Sequence, residues 1–190
     1  MYVYKFNGIE GVQPFYQNDG TGYIEVQRVQ VSNSSVISLS LTNDHEFLAI
    51  GLDGSEVLIY RQIGELFSPF ANISFDSSDQ RKVELTHDHQ LLLVSHSHEL
   101  EMYGFDGEQY LLNFSAEGRF ADSEIQDFDM NSEANLLVVA TEEAIHLLGI
   151  RNSTFEELQR INKSNSTVKL SEDGQHLLIT ADGEVTILRN

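Results

Sequence analysis

The chain has 190 residues, 41% of them hydrophobic, and a formal net charge of −19. This hydrophobic content suffices for a packed core and excludes a disordered class, and the absence of cysteine excludes disulfides and thiolate chemistry. The negative charge repels phosphate backbones, so we expect no nucleic-acid partner. The chain has no run of about eighteen apolar residues, so we expect no membrane insertion.

The first segment, residues 1–34, predicts the remnant of a repeat unit and an outer strand. Tyr4-Lys-Phe-Asn-Gly8 matches Tyr103-Gly-Phe-Asp-Gly107 further along the chain, so we expect the sequence to begin inside a strand. The N-terminal residues lack the long apolar core of a signal peptide. Either the chain is not secreted or its beginning is missing.

One motif then recurs at a nearly fixed period. Its first copies are Leu41-Thr-Asn-Asp-His-Glu-Phe-Leu-Ala-Ile-Gly51 and Leu85-Thr-His-Asp-His-Gln-Leu-Leu-Leu-Val-Ser95, which begin 44 positions apart. Fainter copies begin at Met130 and Leu170. A period of this length indicates a repeat architecture.

Each copy predicts four short strands. A strand, a polar turn and an apolar strand are followed by an alternating strand, at 56–60, 99–103, 144–148 and 184–188, and by a more variable fourth strand. Four strands in about 40 to 45 residues are the size of one β-propeller blade. We therefore predict an all-β propeller of stacked antiparallel blades, at 35–81, 82–124 and 125–166, with a partial blade at 167–190. A β-sandwich is the alternative, but sandwiches do not repeat a motif at constant phase.

This repeat resembles the degenerate WD-repeat-like β-propeller superfamily. The resemblance rests on the Leu-Thr-x-Asp-His strand pair and on the alternating strand that ends in Tyr60 or Tyr103. Its spacing is also similar to propeller-like repeats in ciliate surface glycoproteins. About four blades are present, which leaves two possibilities open: a segment of a larger propeller, or a four-bladed ring closed by a strand around residues 23–31.

The sequence contains an excess of N-glycosylation acceptor motifs. Six of the twelve asparagines precede x-Ser/Thr: Asn33, Asn72, Asn113, Asn152, Asn162 and Asn165. Chance placement would give roughly two, so this pattern favours a glycoprotein. The alternative is that these asparagines are ordinary polar residues of a cytosolic protein.

Histidines and acidic residues give weaker signals. The pairs His87-x-His89 and His96-x-His98 could bind a transition metal, but strand geometry separates them, and we interpret them as solvated turn residues. Acidic residues at equivalent turn positions could attract calcium, although they more often end strands. We predict no catalytic residue, no metal site and no cofactor.

These observations favour a non-enzymatic scaffold that is secreted, on the cell surface or lumenal. We expect it to carry N-linked glycans and to bind protein, either itself or a larger assembly. Two alternatives remain open. One is a metal-dependent lactonase-like or hydrolase-like propeller enzyme, and the other is a cytoplasmic protein-interaction hub similar to WD-repeat proteins.

Overall fold

The computed structural model of the chain describes residues 2–4, 12–18, 23–31, 34–54, 56–75, 80–96, 98–116, 118–120, 122–151 and 154–189. Within these residues all regular secondary structure is β-strand, and no helix is long and apolar enough to cross a bilayer. The strands are β1 (Tyr2–Tyr4), β2 (Val12–Asn18), β3 (Tyr23–Gln30), β4 (Val36–Leu41), β5 (Phe47–Leu52), β6 (Glu56–Ile63), β7 (Leu66–Ser74), β8 (Gln80–Leu85), β9 (Leu91–His96), β10 (Leu100–Phe105), β11 (Tyr110–Ser115), β12 (Ile125–Met130), β13 (Leu136–Thr141), β14 (Ile145–Arg151), β15 (Thr154–Ile161), β16 (Thr167–Leu170), β17 (His176–Ala181) and β18 (Glu184–Arg189).

Consecutive strands form antiparallel sheets in which each strand pairs with its neighbour in sequence. Three sheets have four strands, and we call them blade I (β4–β7), blade II (β8–β11) and blade III (β12–β15). Strands β16–β18 form the three-stranded blade IV, and β1–β3 form the N-terminal sheet.

The second strand of each full blade is covered on both faces. In β9, Leu93 packs toward blade III and its neighbour Val94 packs toward blade I. In β13, Val138 packs toward blade IV and Val139 packs toward blade II. These strands are therefore continuous apolar runs, as expected for sheets that are buried on both sides. The face-to-face stacking of antiparallel blades confirms the predicted all-β propeller.

Blade IV is covered on one face only. Along β17, Leu177, Ile179 and Ala181 are buried, whereas Leu178 and Thr180 between them are exposed. The buried set contacts blade III. Within the described residues, nothing packs on the opposite face of this blade.

The N-terminal sheet lies beside blade I. The Gln27 side chain accepts a hydrogen bond from the Phe67 amide and donates one to the Phe67 carbonyl, both at 2.8 Å. Val31 joins a buried cluster with Val36 and Tyr60 of blade I. Strand β3 is the edge of the N-terminal sheet and pairs with β2, and the described sheet of blade IV contains only β16, β17 and β18, so β3 does not close blade IV.

Candidate functional site

The first strands of the four blades, β4, β8, β12 and β16, follow one another around the axis of the propeller, and we call them the inner strands. In blades I to III the inner strand contains a β-bulge near its start, before Ser38, Lys82 and Asp127. A bulge changes the direction in which the following side chains point.

Side chains of each inner strand accept hydrogen bonds from the backbone of the next one. The amides of Val83 and Leu85 donate to the hydroxyls of Ser38 and Ser40, at 3.0 and 2.8 Å. These amides lie on the open edge of β8. The hydroxyls therefore satisfy donors that burial would otherwise leave without an acceptor.

The same arrangement recurs with carboxylates between the later blades. Glu84 accepts from the Met130 amide at 3.2 Å, Asp127 from the Val168 amide at 2.9 Å, and Asp129 from the Leu170 amide at 2.6 Å. Sequence reasoning missed this role. The available signal is the pair of polar residues at alternate positions in an otherwise apolar strand, Ser38 with Ser40, Lys82 with Glu84 and Asp127 with Asp129.

Two lysines neutralise the two aspartates. The Lys82 ammonium lies 3.0 Å from an Asp127 carboxylate oxygen and also donates to the Phe128 carbonyl. The Lys169 ammonium pairs with Asp129, whose side chain is 1% exposed. One carboxylate oxygen of each aspartate thus accepts a hydrogen bond from a backbone amide of the next inner strand, and the other oxygen pairs with a lysine ammonium group.

Glu84 has weaker compensation. The closest approach of its Oε2 to the Lys82 ammonium is 3.7 Å. Burial raises the pKa of Glu84 to about 7, with a further rise from the Asp129 charge, and Lys82 and Lys169 offset only part of this shift. The carboxyl therefore changes its protonation state near neutral pH.

A cavity of about 350 Å³ adjoins this network. Its walls are inner-strand residues, including Glu84, Lys82 and Lys169, and its rim includes Asn43, His87, Asn131 and Glu172. The rim residues belong to the turns that join each inner strand to the second strand of its blade, residues 42–46, 86–90, 131–135 and 171–175, which we call the turn face.

The four turns share one hydrogen-bonding plan. In blade II, the Thr86 hydroxyl donates to Asp88 at 2.7 Å and accepts from the Leu91 amide at 3.0 Å. The equivalent donors and acceptors are Thr42 with Asp44 and Ser171 with Asp173, while Asn131 accepts from two amides in blade III. The fourth residue of each turn has a positive φ: 64° at His45, 53° at His89, 52° at Ala134 and 68° at Gly174.

The acidic turn residues therefore have a structural role. Burial alone would raise the pKa of Asp44 and Asp88, but hydrogen bonds from the threonine hydroxyl and a backbone amide outweigh it, and both pKa values lie below the ordinary range. The hydrogen bonds from Ser171 and from the Gln175 amide likewise lower the pKa of Asp173. One oxygen of each carboxylate thus already accepts hydrogen bonds from groups of its own turn.

Among the described residues, one histidine-containing group has a spacing suited to a metal ion. Ligand atoms of Asp44, Glu46 and His89 lie within 4.8 Å of one another. However, Glu46 also accepts hydrogen bonds from the Arg61 guanidinium, the shorter at 2.6 Å. A cation here would have to compete with that arginine.

The structure corrects the interpretation of all the paired histidines as solvated turn residues. His87 and His89 both lie in the turn of residues 86–90, and His87 contacts Asn43 of the neighbouring turn. His89 stacks on Phe47 with ring centroids 4.6 Å apart. His96 ends the buried strand β9 and is therefore only 5% exposed. Its Nε2 lies 3.3 Å from the Glu101 Oε2.

Four acceptor asparagines lie in the described residues, and all four are exposed: Asn72 on β7, Asn113 on β11, and Asn162 and Asn165 between β15 and β16. Asn33 and Asn152 lie outside the described residues. In an antiparallel blade, the connection from the fourth strand to the next inner strand is at the end opposite the first turn. Asn162 and Asn165 are therefore remote from the turn face.

No protein-family model matches the chain, and no curated protein matches its sequence. Solved structures do match. The β-propeller domain of Cps50 (Swd1) from Myceliophteria thermophila has a TM-score of 0.78 at 14% identity, over 98% of this chain and 63% of that chain. A chain of the mitotic checkpoint complex has a TM-score of 0.79 at 14% identity, over 100% and 60%. A protein from Bacteroides uniformis proposed to be a 6-phosphogluconolactonase has a TM-score of 0.76 at 10% identity, over 100% and 63%.

These similarities establish the β-propeller fold and, at such low identity, only the fold. The expected resemblance is confirmed only as far as the β-propeller fold. The resemblance to ciliate surface repeats finds no support in these structures. The chain spans about three fifths of the length of the proteins it matches.

Proposed function

We propose that this chain is a non-enzymatic scaffold that binds a protein partner through its turn face. The observation that carries this proposal is the cavity, whose rim is formed by side chains from four different blades. The blades stack on continuous buried clusters, so they hold these side chains in fixed relative positions. Preorganised side chains around a concavity lower the entropic cost of binding.

The inner-strand carboxylates support a binding role over a hydrolytic one. A propeller hydrolase of the type considered above would use carboxylates from several blades to hold a divalent cation. Here the Asp127 and Asp129 oxygens accept from lysines and backbone amides. A metal ion would first have to displace those donors.

We further propose that the protein is N-glycosylated and secreted, on the cell surface or lumenal. The exposure of Asn72, Asn113, Asn162 and Asn165 supports this proposal, because an oligosaccharyltransferase needs accessible acceptors. Glycans at Asn162 and Asn165 would leave the turn face open to a partner.

The binding surface is tested by comparing captured proteins. Extracts of the source cells are passed over the wild-type chain, over the turn-face variant Asn43→Ala/His87→Ala/Glu172→Ala, and over the matched outer-strand control Glu156→Ala/Gln159→Ala. We expect proteins that the wild type and the control both retain and the turn-face variant loses. Equal retention by all three would contradict the proposed surface.

Glycosylation is tested on the native protein by mass spectrometry before and after glycosidase treatment. We expect a loss of mass at several of the six acceptor asparagines. Unmodified asparagine at all six sites would contradict the extracellular or lumenal proposal and would favour the cytoplasmic alternative.

A further inference from the structure

Glu84 has the longest ion pair of the three inner-strand carboxylates, because its nearest ammonium group, that of Lys82, lies 3.7 Å away and is shared with Asp127. The network has three acids, Glu84, Asp127 and Asp129, and two lysines, Lys82 and Lys169. Each lysine lies closer to an aspartate than to Glu84. The described hydrogen bonds to Glu84 reach only Oε1, from the Met130 amide.

This weakly paired carboxylate lies at the wall of the cavity. Glu84 lines it together with Lys82, Lys169 and Glu172, and most of the other lining residues are uncharged. A volume of about 350 Å³ is at the low end of the range for ligand sites, about 300–1,000 Å³, and is large enough for one long side chain. The net charge of −19 also favours the approach of a basic partner.

The two lysines decide which basic side chain fits. An incoming lysine would meet two existing ammonium groups in a partly buried site, and lysine readily gives up its proton under such conditions. Arginine keeps its charge, is more weakly hydrated, and presents a planar set of donors that matches a carboxylate. The cavity therefore suits a guanidinium better than an ammonium group.

We propose that the protein partner inserts an arginine side chain into this cavity and that its guanidinium pairs with Glu84. This inference rests on the proposed turn-face function and names the chemistry that the turn face recognises. The arginine would give the Glu84 carboxylate a second positively charged partner, while Lys82 and Lys169 stay paired with their aspartates.

The probes are the peptides acetyl-Gly-Arg-Gly-amide, its lysine analogue and its citrulline analogue, which has the shape of arginine without the charge. Binding is followed by NMR shifts of the backbone amides of Glu84 and Met130. We expect the arginine peptide to bind at least tenfold more tightly than either analogue. Glu84→Gln should reduce its affinity at least tenfold, because glutamine can still accept from the Met130 amide but carries no charge.

Two controls separate this contact from general electrostatic attraction. Glu156→Gln removes an exposed charge on β15 and should leave the affinity unchanged. The affinity should also rise between pH 5.5 and 8 as Glu84 ionises. The charged and titratable groups around it are Lys82, Asp127, Asp129, Lys169, His87 and Glu172, and the same profile is measured in His87→Ala to separate the contribution of Glu84 from that of the histidine.

Three outcomes would overturn the inference: equal binding of the arginine and citrulline peptides, unchanged binding by a folded Glu84→Gln, or amide shifts caused by inorganic phosphate in place of the peptide. The partner experiment distinguishes it from the proposed function. If Glu84→Gln captures the partner as well as the wild type while the turn-face variant does not, the arginine contact is wrong and the turn-face function stands. If the turn-face variant also retains the partner, the proposed function is wrong.

Discussion

At the scale of single residues, Glu84 couples the inner-strand network to pH. Its pKa is about 7 in the folded protein and has an ordinary value of 4.5. Sequence reasoning did not single it out, because a glutamate in a strand of an acidic protein is usually solvent-exposed. Strand β12 lies against it, with the Met130 amide donating to Glu84, and this approach of the next blade has no local sequence signature.

We predict that Glu84 makes the protein less stable as pH rises from about 4.5 to 7. In this window the folded protein retains a proton that the unfolded chain has released, so folding must take up a proton, and this uptake becomes less favourable as pH rises. The loss is on the order of 3 kcal/mol across the window. Urea unfolding of the wild type and of Glu84→Gln at several pH values measures it.

Glu84→Gln should flatten the dependence of the free energy of unfolding on pH between 4.5 and 7. The lowered pKa values of Asp44, Asp88 and Asp173 act in the opposite direction and in a more acidic range, where stability falls as these groups become protonated. The two effects are therefore separable. A wild-type stability that rises with pH through the upper window would contradict the assignment to Glu84.

At the scale of elements, the repeated unit is an inner strand whose side chains satisfy the edge of the next inner strand. The sequence period predicted the turns and the apolar second strands, since these repeat both residue type and spacing. It did not predict the bulges at Ser38, Lys82 and Asp127, because one additional residue in a strand leaves the composition unchanged. The acceptors also differ between blades, from serine to glutamate and aspartate, which conceals their common role.

We predict that Asp129→Ala destabilises the protein by about 3 kcal/mol, because the buried Leu170 amide loses a charged acceptor. Ser40→Ala should cost only about 1 kcal/mol, because the Leu85 amide loses a neutral acceptor. Asp129→Asn, which retains an oxygen, should fall between them. Chemical denaturation ranks the three variants, and equal losses for Asp129→Ala and Ser40→Ala would contradict a specific contribution from the charge.

At the scale of the whole molecule, blade IV differs from the others in what covers it. The positions equivalent to Val185 are Val57, Leu100 and Ile145, which are all 0% exposed, whereas Val185 is 64% exposed. Ile187 is 65% exposed, whereas its equivalents Ile59 and Met102 are 0% and 2% exposed and the third equivalent, Leu147, is partly buried. The repeat in the sequence predicted apolar residues at these positions but could not show whether another sheet covers them.

We predict that this face drives concentration-dependent self-association of the isolated chain. Val185→Thr/Ile187→Thr keeps β-branched residues, which suit a strand, and replaces apolar surface with hydroxyls. Sedimentation velocity over a concentration series should show weaker association for this variant. Leu112→Thr, at an exposed leucine of blade II, is the matched control, and an equal effect of both changes would contradict a role for blade IV.

The shared turn plan has a consequence for how this protein can diversify. The hydrogen bonds of Thr42, Thr86, Asn131 and Ser171 fix the backbone of each loop, while the next residue in the chain, Asn43, His87, Ser132 or Glu172, takes no part in that plan. Duplication of an ancestral segment would thus provide four equivalent turn positions whose side chains can vary while the backbone of each turn keeps the same conformation. A substitution there leaves the hydrogen bonds within its own turn intact and alters only contacts between turns, such as those of Asn43 with His87 and of Ser132 with Glu172.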